Sequence, residues 1–189
     1  LKQSGPVSAM TLKDLTINLA TLLCLLTGQR CQIIHNIDVN FIQFTDAECI
    51  ITIREILKHT KAGKHQLPLK LRPYPNDKRL CIIEYLQEYI KRTQALRQEQ
   101  SQLFISFNKP HKAVSKDTIG RWVKNTLQNS RIDTEQFTCH STRSASTSCA
   151  RSRAAGLSLE HIMQSAGWST SSTFAKFYDK NIETTNFGC

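Results

Sequence analysis

Five groups of residues in this chain have the types and the order needed to cut a phosphodiester. His140 and Arg143 stand in His140-Ser141-Thr142-Arg143, Trp168 follows Gly167, and Tyr178 comes ten residues after that tryptophan. Much earlier, Arg30 closes Thr27-Gly28-Gln29-Arg30, directly after an apolar run. Between them, Thr60-Lys61-Ala62-Gly63-Lys64 sets lysines around a small turn. A tyrosine hydroxyl attacking phosphorus, with arginines holding the phosphate, makes sense of this order.

Each residue type has a physical reason to be there. A phosphodiester gathers negative charge on its non-bridging oxygens as the attacking atom adds. Arginine stays cationic and presents a planar fork of donors, so Arg30 and Arg143 suit a bidentate clamp. His140 can shuttle a proton near neutral pH or donate to phosphate; the plainer alternative is a capping or packing histidine. The Trp168 indole has one N–H to donate, although by composition it reads as a core aromatic. A phenol with a pKa of ~10 needs cations nearby to attack well at neutral pH. Without them Tyr178 would be filler on the helical face it shares with Phe174. The leaving oxygen of a cut strand needs a proton, which a mobile lysine such as Lys61 or Lys64 can supply. Nothing in this scheme calls for a metal or a cofactor, and the sequence holds no acidic cluster suited to one.

Taken together, Arg30, Lys61, His140, Arg143, Trp168 and Tyr178 resemble the active-site set of the tyrosine recombinase (phage integrase) family. The stretch from about Thr11 to Lys180 looks most like the recombinases of DIRS-type retrotransposons. The resemblance implies a catalytic domain that is mainly α with a small antiparallel β-sheet (α+β). It implies cleavage and rejoining of double-stranded DNA through a 3′-phosphotyrosyl link, in recombination or integration of a mobile element. It also implies a homo-oligomer on DNA, a nuclear setting for a eukaryotic element, no membrane and no small-molecule substrate. The position matching Trp168 is histidine in many members and tryptophan in others. The interval from Trp168 to Tyr178 is one residue longer than is usual in the family, and that from Arg143 to Trp168 is also slightly long. Ile33 stands where the family carries an acid. The rival readings are a type IB topoisomerase that relaxes DNA, and a degenerate or domesticated copy that binds DNA without cutting it.

Bulk properties fit one such domain. At 189 residues and 40% hydrophobic content the chain can bury a single sizeable core. Residues 1–10 read as a lead-in or linker remnant and residues 11–189 as the catalytic domain, with the family's N-terminal DNA-clamping domain expected to be absent. The longest apolar stretch, residues 19–26, falls well short of the ~20 residues of a membrane span, and no secretory pattern is visible. Seven cysteines without a C-x-x-C pair read as reduced core thiols of an intracellular protein. The net charge of +10 is concentrated: residues 54–79 hold eight basic and two acidic side chains, and residues 109–131 hold six and one. Clustered positive charge of this kind favours a polyanion, nucleic acid first.

The elements that must position these residues follow from periodicity. Thr11 to Asp14 read as a capping box before a helix with Leu15, Leu19, Leu22, Leu23 and Leu26 on one face, ending at Thr27-Gly28. Arg30 then projects from a turn at the mouth of the domain. Residues 33–44, 49–57 and 65–71 read as a small antiparallel sheet with Lys61 at a hairpin tip. A helix over residues 78–96 carries Leu80, Ile83, Leu86 and Ile90 on one side, and residues 103–107 read as extended. Ser115 caps a helix that buries Ile119, Trp122, Val123 and Leu127. Short helices then cover residues 141–155, 159–165 and 173–178.

Overall fold

In the computed structural model, which describes residues 6–54, 67–136, 141, 142 and 144–146, the apolar run after Thr11 forms the central helix α1 (Leu12–Thr27). The Thr11 hydroxyl accepts the Asp14 N–H at 3.1 Å and donates to the Asp14 carboxylate at 2.7 Å. One orphan N–H of the first turn is thereby satisfied. The helix ends at Gly28, whose left-handed φ of 61° turns the chain and whose N–H donates to the Cys24 carbonyl. Leu15, Leu19, Ala20, Leu23 and Cys24 are fully buried, because α1 is flanked by helices on both sides. Its buried threonines bond back along the helix, Thr16 to the Leu12 carbonyl and Thr21 to the Ile17 carbonyl. Leu26, expected on the core face, is instead half exposed at the last turn.

The segment after α1 corrects the sequence reading. Residues 33–35, expected as the start of a strand, belong instead to a short helix α2 (Cys31–His35). Ile33, Ile34 and Ile37 are all buried, a one-four spacing that only a helical turn brings to one side. A strand would send Ile33 and Ile34 to opposite faces. The β-branched residues are there to fill the core, and their strand propensity yields to that packing.

The sheet itself forms as expected, though with shorter strands. β1 (Ile42–Phe44), β2 (Cys49–Ile51) and β3 (Leu69–Leu71) lie antiparallel in that order. Ile42 faces Ile51, which faces Leu69, and Phe44 faces Cys49, which faces Leu71. Cys49, Ile51, Leu69 and Leu71 turn inward while Lys70 stays in solvent, the alternation of a half-buried sheet. The tight β1–β2 turn is tied by Thr45 and Glu48, each donating a backbone N–H to the other residue. The proposed hairpin tip with Lys61 and Lys64 lies outside the described residues.

Helix α3 (Ile82–Thr93) is preceded and followed by 3-10 turns at Lys78–Leu80 and Gln94–Leu96. Its buried face is rotated from the one the aliphatic spacing predicts. Ile82, Tyr85, Leu86, Tyr89 and Thr93 face inward, whereas Ile83 and Ile90 are only half-buried. Two tyrosines go in because each hydroxyl finds a backbone partner. Tyr85 donates to the Arg79 carbonyl at 3.1 Å, and Tyr89 accepts the Ile105 N–H at 3.2 Å.

Residues 101–105 run extended between two neighbours. Val39 donates to Ser101 and Leu103 to Ile37 on one side, and Val114 donates to Phe104 on the other. Helix α4 (Lys116–Asn129) starts where Ser115 accepts the Thr118 N–H, and it buries Ile119, Trp122, Val123 and Leu127 as expected. Tyr89, Phe104 and Trp122 stack edge to tilt at 5.7 and 6.2 Å, joining α3 to α4 through the extended segment. Thr21 of α1 bonds Thr126 of α4 at 3.2 Å. Ser141, Thr142 and residues 144–146 are helical, in keeping with a helix opening at Ser141. The helices expected over residues 159–165 and 173–178 lie outside the described residues. The architecture is thus mainly α with a small three-stranded antiparallel sheet. No helix among the described residues is long and apolar enough to cross a membrane.

Candidate active site and nucleic-acid interface

Arg30 is the one sequence-predicted site residue among those described. It sits two residues past the left-handed Gly28, in extended geometry (φ −71°, ψ 149°), at the head of α2. Its carbonyl accepts the Ile33 and Ile34 N–H groups at 2.8 and 3.2 Å, so the backbone is fixed. The neighbouring Gln29 is buried, while the Arg30 side chain is exposed. Among the described residues the Arg30 guanidinium has no hydrogen bond or ion pair. A rigid backbone bearing an unengaged planar fork is what recognition of a phosphate requires. Ile33, at the position where an acid was looked for, is 2% exposed and belongs to the core.

Lys61, His140, Arg143, Trp168 and Tyr178 lie outside the described residues, as does Lys64. Thr142, between His140 and Arg143, is helical and 3% exposed.

The other tyrosines narrow the choice of nucleophile. Tyr85 and Tyr89 are fully buried, with hydroxyls engaged by the backbone. Burial pushes both phenols above their ordinary pKa, further from the phenolate an attack needs. Tyr74 alone of the described tyrosines is exposed.

The basic clusters behave differently from each other. In the first, Lys70 pairs with Glu48 at 3.9 Å, Arg79 pairs with Asp77 at 3.0 Å, and Arg54 lies over the Phe41 ring at 4.7 Å. In the second, Lys109, Lys112, Lys116, Arg121, Lys124 and Arg131 are all exposed, and none forms an ion pair among the described residues. Arg72 and Lys78 of the first cluster are likewise exposed without an ion pair, but among the described residues the loop before α4 and the outer face of α4 offer the larger uncompensated charge to a phosphate backbone. Buried Cys49, whose thiol burial pushes up to about 11, is an inert core residue rather than a nucleophile. One functional candidate escaped the sequence reading. Arg97 looks like any surface arginine in the sequence, yet it is 6% exposed.

The sequence pattern of the phage integrase family matches residues 7–184. Among solved structures, the XerH site-specific recombinase bound to difH substrate in a pre-cleavage complex superposes with a TM-score of 0.66 at 16% identity, covering 87% of this chain and 43% of that one. The XerA recombinase gives 0.63 at 14% identity, covering 90% and 59%. A lambda integrase dimer bound to a COC' core site gives 0.53 at 15% identity, covering 89% and 45%. The chain thus spans about half the length of these proteins. No curated protein matches it. The helical body with its three-stranded sheet is their fold, and with the family pattern extending over nearly all of its length, the chain belongs to the phage integrase family, the tyrosine recombinases.

Proposed function

We propose that this chain is the catalytic domain of a recombinase that cuts and rejoins double-stranded DNA with Tyr178 as nucleophile. The Tyr178 hydroxyl oxygen attacks the scissile phosphorus, and the bond from phosphorus to the 5′ oxygen breaks. The 5′ oxygen leaves with a proton from Lys61, and the phosphorus stays on the tyrosine as a 3′-phosphotyrosyl ester. A 5′ hydroxyl of another strand then attacks, the phosphotyrosyl bond breaks, and the tyrosine is restored. One ester replaces another at each step, so no cofactor is consumed. Arg30 and Arg143 hold the non-bridging oxygens, and His140 and Trp168 donate to them.

The observation that carries this reading is Arg30: exposed, unengaged and rigidly based, in a chain whose family pattern runs on through Tyr178. The uncompensated basic face around α4 supports DNA as the partner. The motif set supports the finer reading, integration of a DIRS-type retroelement's DNA circle in the nucleus by a homo-oligomer. That XerH is named in complex with difH, and lambda integrase as a dimer on a core site, accords with DNA binding and assembly.

A labelled pool of nicked duplexes of randomised sequence tests the reading, because the short strand beyond the nick diffuses away after cleavage and traps the covalent intermediate. The parent protein should give a denaturant-resistant protein–DNA adduct, and Tyr178→Phe should give none while still binding DNA. Binding without any adduct from the parent would place the chain among copies that hold DNA without cutting it. Relaxed plasmid without recombinants would favour the topoisomerase reading.

A further inference from the structure

The least expected side chain in the core is the Arg97 guanidinium. It is 6% exposed and makes no ion pair among the described residues, and its Nε has no hydrogen-bond partner. Burial lowers its pKa, with Tyr89 and Asp38 opposing that effect. A buried cation without a carboxylate against it is costly, and an apolar side chain would fill the space more cheaply. Its guanidinium lies 5.7 Å from the Tyr89 ring centroid, and its hydrogen bonds join two neighbouring elements. Nη1 donates to the Gln102 carbonyl at 2.5 Å, and Nη2 donates to the Leu103 carbonyl at 2.8 Å and to the Thr93 hydroxyl at 2.7 Å. The fork therefore staples the start of the extended segment to the end of α3.

That segment holds α2. Leu103 donates to the Ile37 carbonyl at 2.7 Å, Val39 donates to the Ser101 carbonyl at 2.8 Å, and the Ser101 hydroxyl donates to the Asp38 carboxylate at 2.8 Å. Residues 37–39 leave the C-terminal end of α2, and Arg30 heads the same helix less than two turns earlier. On its other side the segment pairs with residues 113 and 114, which lead into α4, the helix on which α2 packs. The carbonyls that Arg97 grips thus belong to the segment that ties the end of α2 to the lead-in of α4, beside the direct packing of α2 on α4 and α1.

We infer that Arg97 is a positioning residue for Arg30, holding residues 101–103 so that α2 presents the Arg30 guanidinium at the scissile phosphate. The inference rests on the reading of Arg30 as a phosphate clamp. Its consequence is kinetic: a reacting group displaced by about 1 Å loses on the order of 10²-fold in rate.

A scissile methylphosphonate separates this role from a structural one. Replacing a non-bridging oxygen by methyl removes the negative charge that Arg30 is there to hold, so loss or misplacement of Arg30 should matter little on that DNA. The full chain is compared as parent, Arg30→Ala, Arg97→Met, Arg97→Lys and Ser101→Ala, on phosphate and methylphosphonate substrates, at a temperature where circular dichroism shows each to be folded. Arg97→Met is expected to be slow on phosphate DNA, to recover on methylphosphonate DNA alongside Arg30→Ala, and to add nothing when combined with Arg30→Ala. Parent-like cleavage of phosphate DNA by folded Arg97→Met, or equal slowness on both substrates, overturns the inference. If Arg97→Met does not fold, Arg97→Lys and Ser101→Ala decide on the same criterion, with a smaller slowing that must also be relieved by the methyl substitution. Parent-like cleavage of phosphate DNA by Arg30→Ala instead defeats the underlying reading of Arg30, whatever Arg97 does.

Discussion

Gly28 and Arg30 divide between them the reversal that carries the chain from α1 into α2. Gly28 turns left-handed at φ 61° to end one helix, and Arg30, extended at φ −71° and ψ 149°, opens the next. A Cβ at Gly28 meets the carbonyl of its own turn, at a cost of roughly 1–2 kcal/mol. Gly28→Ala should therefore lower unfolding free energy by about 1 kcal/mol in urea titration, and Gly28→Asn by less. Cleavage should fall in the alanine variant even well below its melting temperature, because the same turn aims Arg30. A variant as stable and as active as the parent would show that the turn is not under this constraint.

Tyr178→Phe should abolish covalent adduct formation with DNA affinity nearly unchanged, since only a hydroxyl is lost. Tyr85→Phe and Tyr89→Phe should keep the adduct and lose about 1 kcal/mol of stability each, the typical worth of one intramolecular hydrogen bond. Mass spectrometry of the digested adduct locates the modified residue; a modified Tyr74 peptide would move the nucleophile there.

Lys61→Ala should be slow on ordinary DNA and recover when sulfur replaces the bridging 5′ oxygen, because a thiolate leaves without protonation. Lys64→Ala should behave nearly like the parent on both substrates. Rescue of Lys64→Ala in its place would shift the general acid by three residues, and rescue of neither would turn attention to His140.

DNA affinity should fall steeply with salt, since each neutralised phosphate releases about one counterion. Single alanine substitutions at Lys112, Lys116 or Lys124 should each reduce the slope of log affinity against log salt by roughly one, with little change in sequence preference. Substitution of Lys70, already paired with Glu48, should change the slope less. Equal slopes for all four variants would mean that the α4 face is not the contact surface.

Alkaline pH should unfold the protein partly through Cys49. Its thiol pKa is raised by burial from 9.0 to about 11, so the folded state binds the proton more tightly than the unfolded chain does. That contribution is complete below pH 9 and is lost as pH rises from 9 towards 11. Cys49→Ala should flatten the decline of stability in this window, as followed by urea titration at successive pH values. An unchanged slope would assign the alkaline loss to other groups, the buried Tyr85 and Tyr89 first.

Much of this molecule is legible in its sequence. The caps at Thr11, Gly28 and Ser115 are local chemistry, and so is the apolar face of α4, since a helix repeats every 3.6 residues wherever it is placed. The family pattern was likewise readable, because the order of Arg30, His140, Arg143 and Tyr178 survives in one dimension. Where packing chooses among partners, the chain alone was silent or misleading. Ile33 and Ile34 carry strand propensity but fold into α2, because three isoleucines had to reach one side of the core. Tyr85 and Tyr89 displaced Ile83 and Ile90 from the inner face of α3 because distant backbone groups, Arg79 and Ile105, could satisfy their hydroxyls. Arg97 looked like a solvated arginine until the carbonyls of residues 102 and 103 were brought around it. The sequence by itself determined the order of the candidate residues and where α1 and α4 begin and α1 ends. Only the tertiary structure decided which polar groups are buried, because burial depends on partners that a linear spacing does not contain.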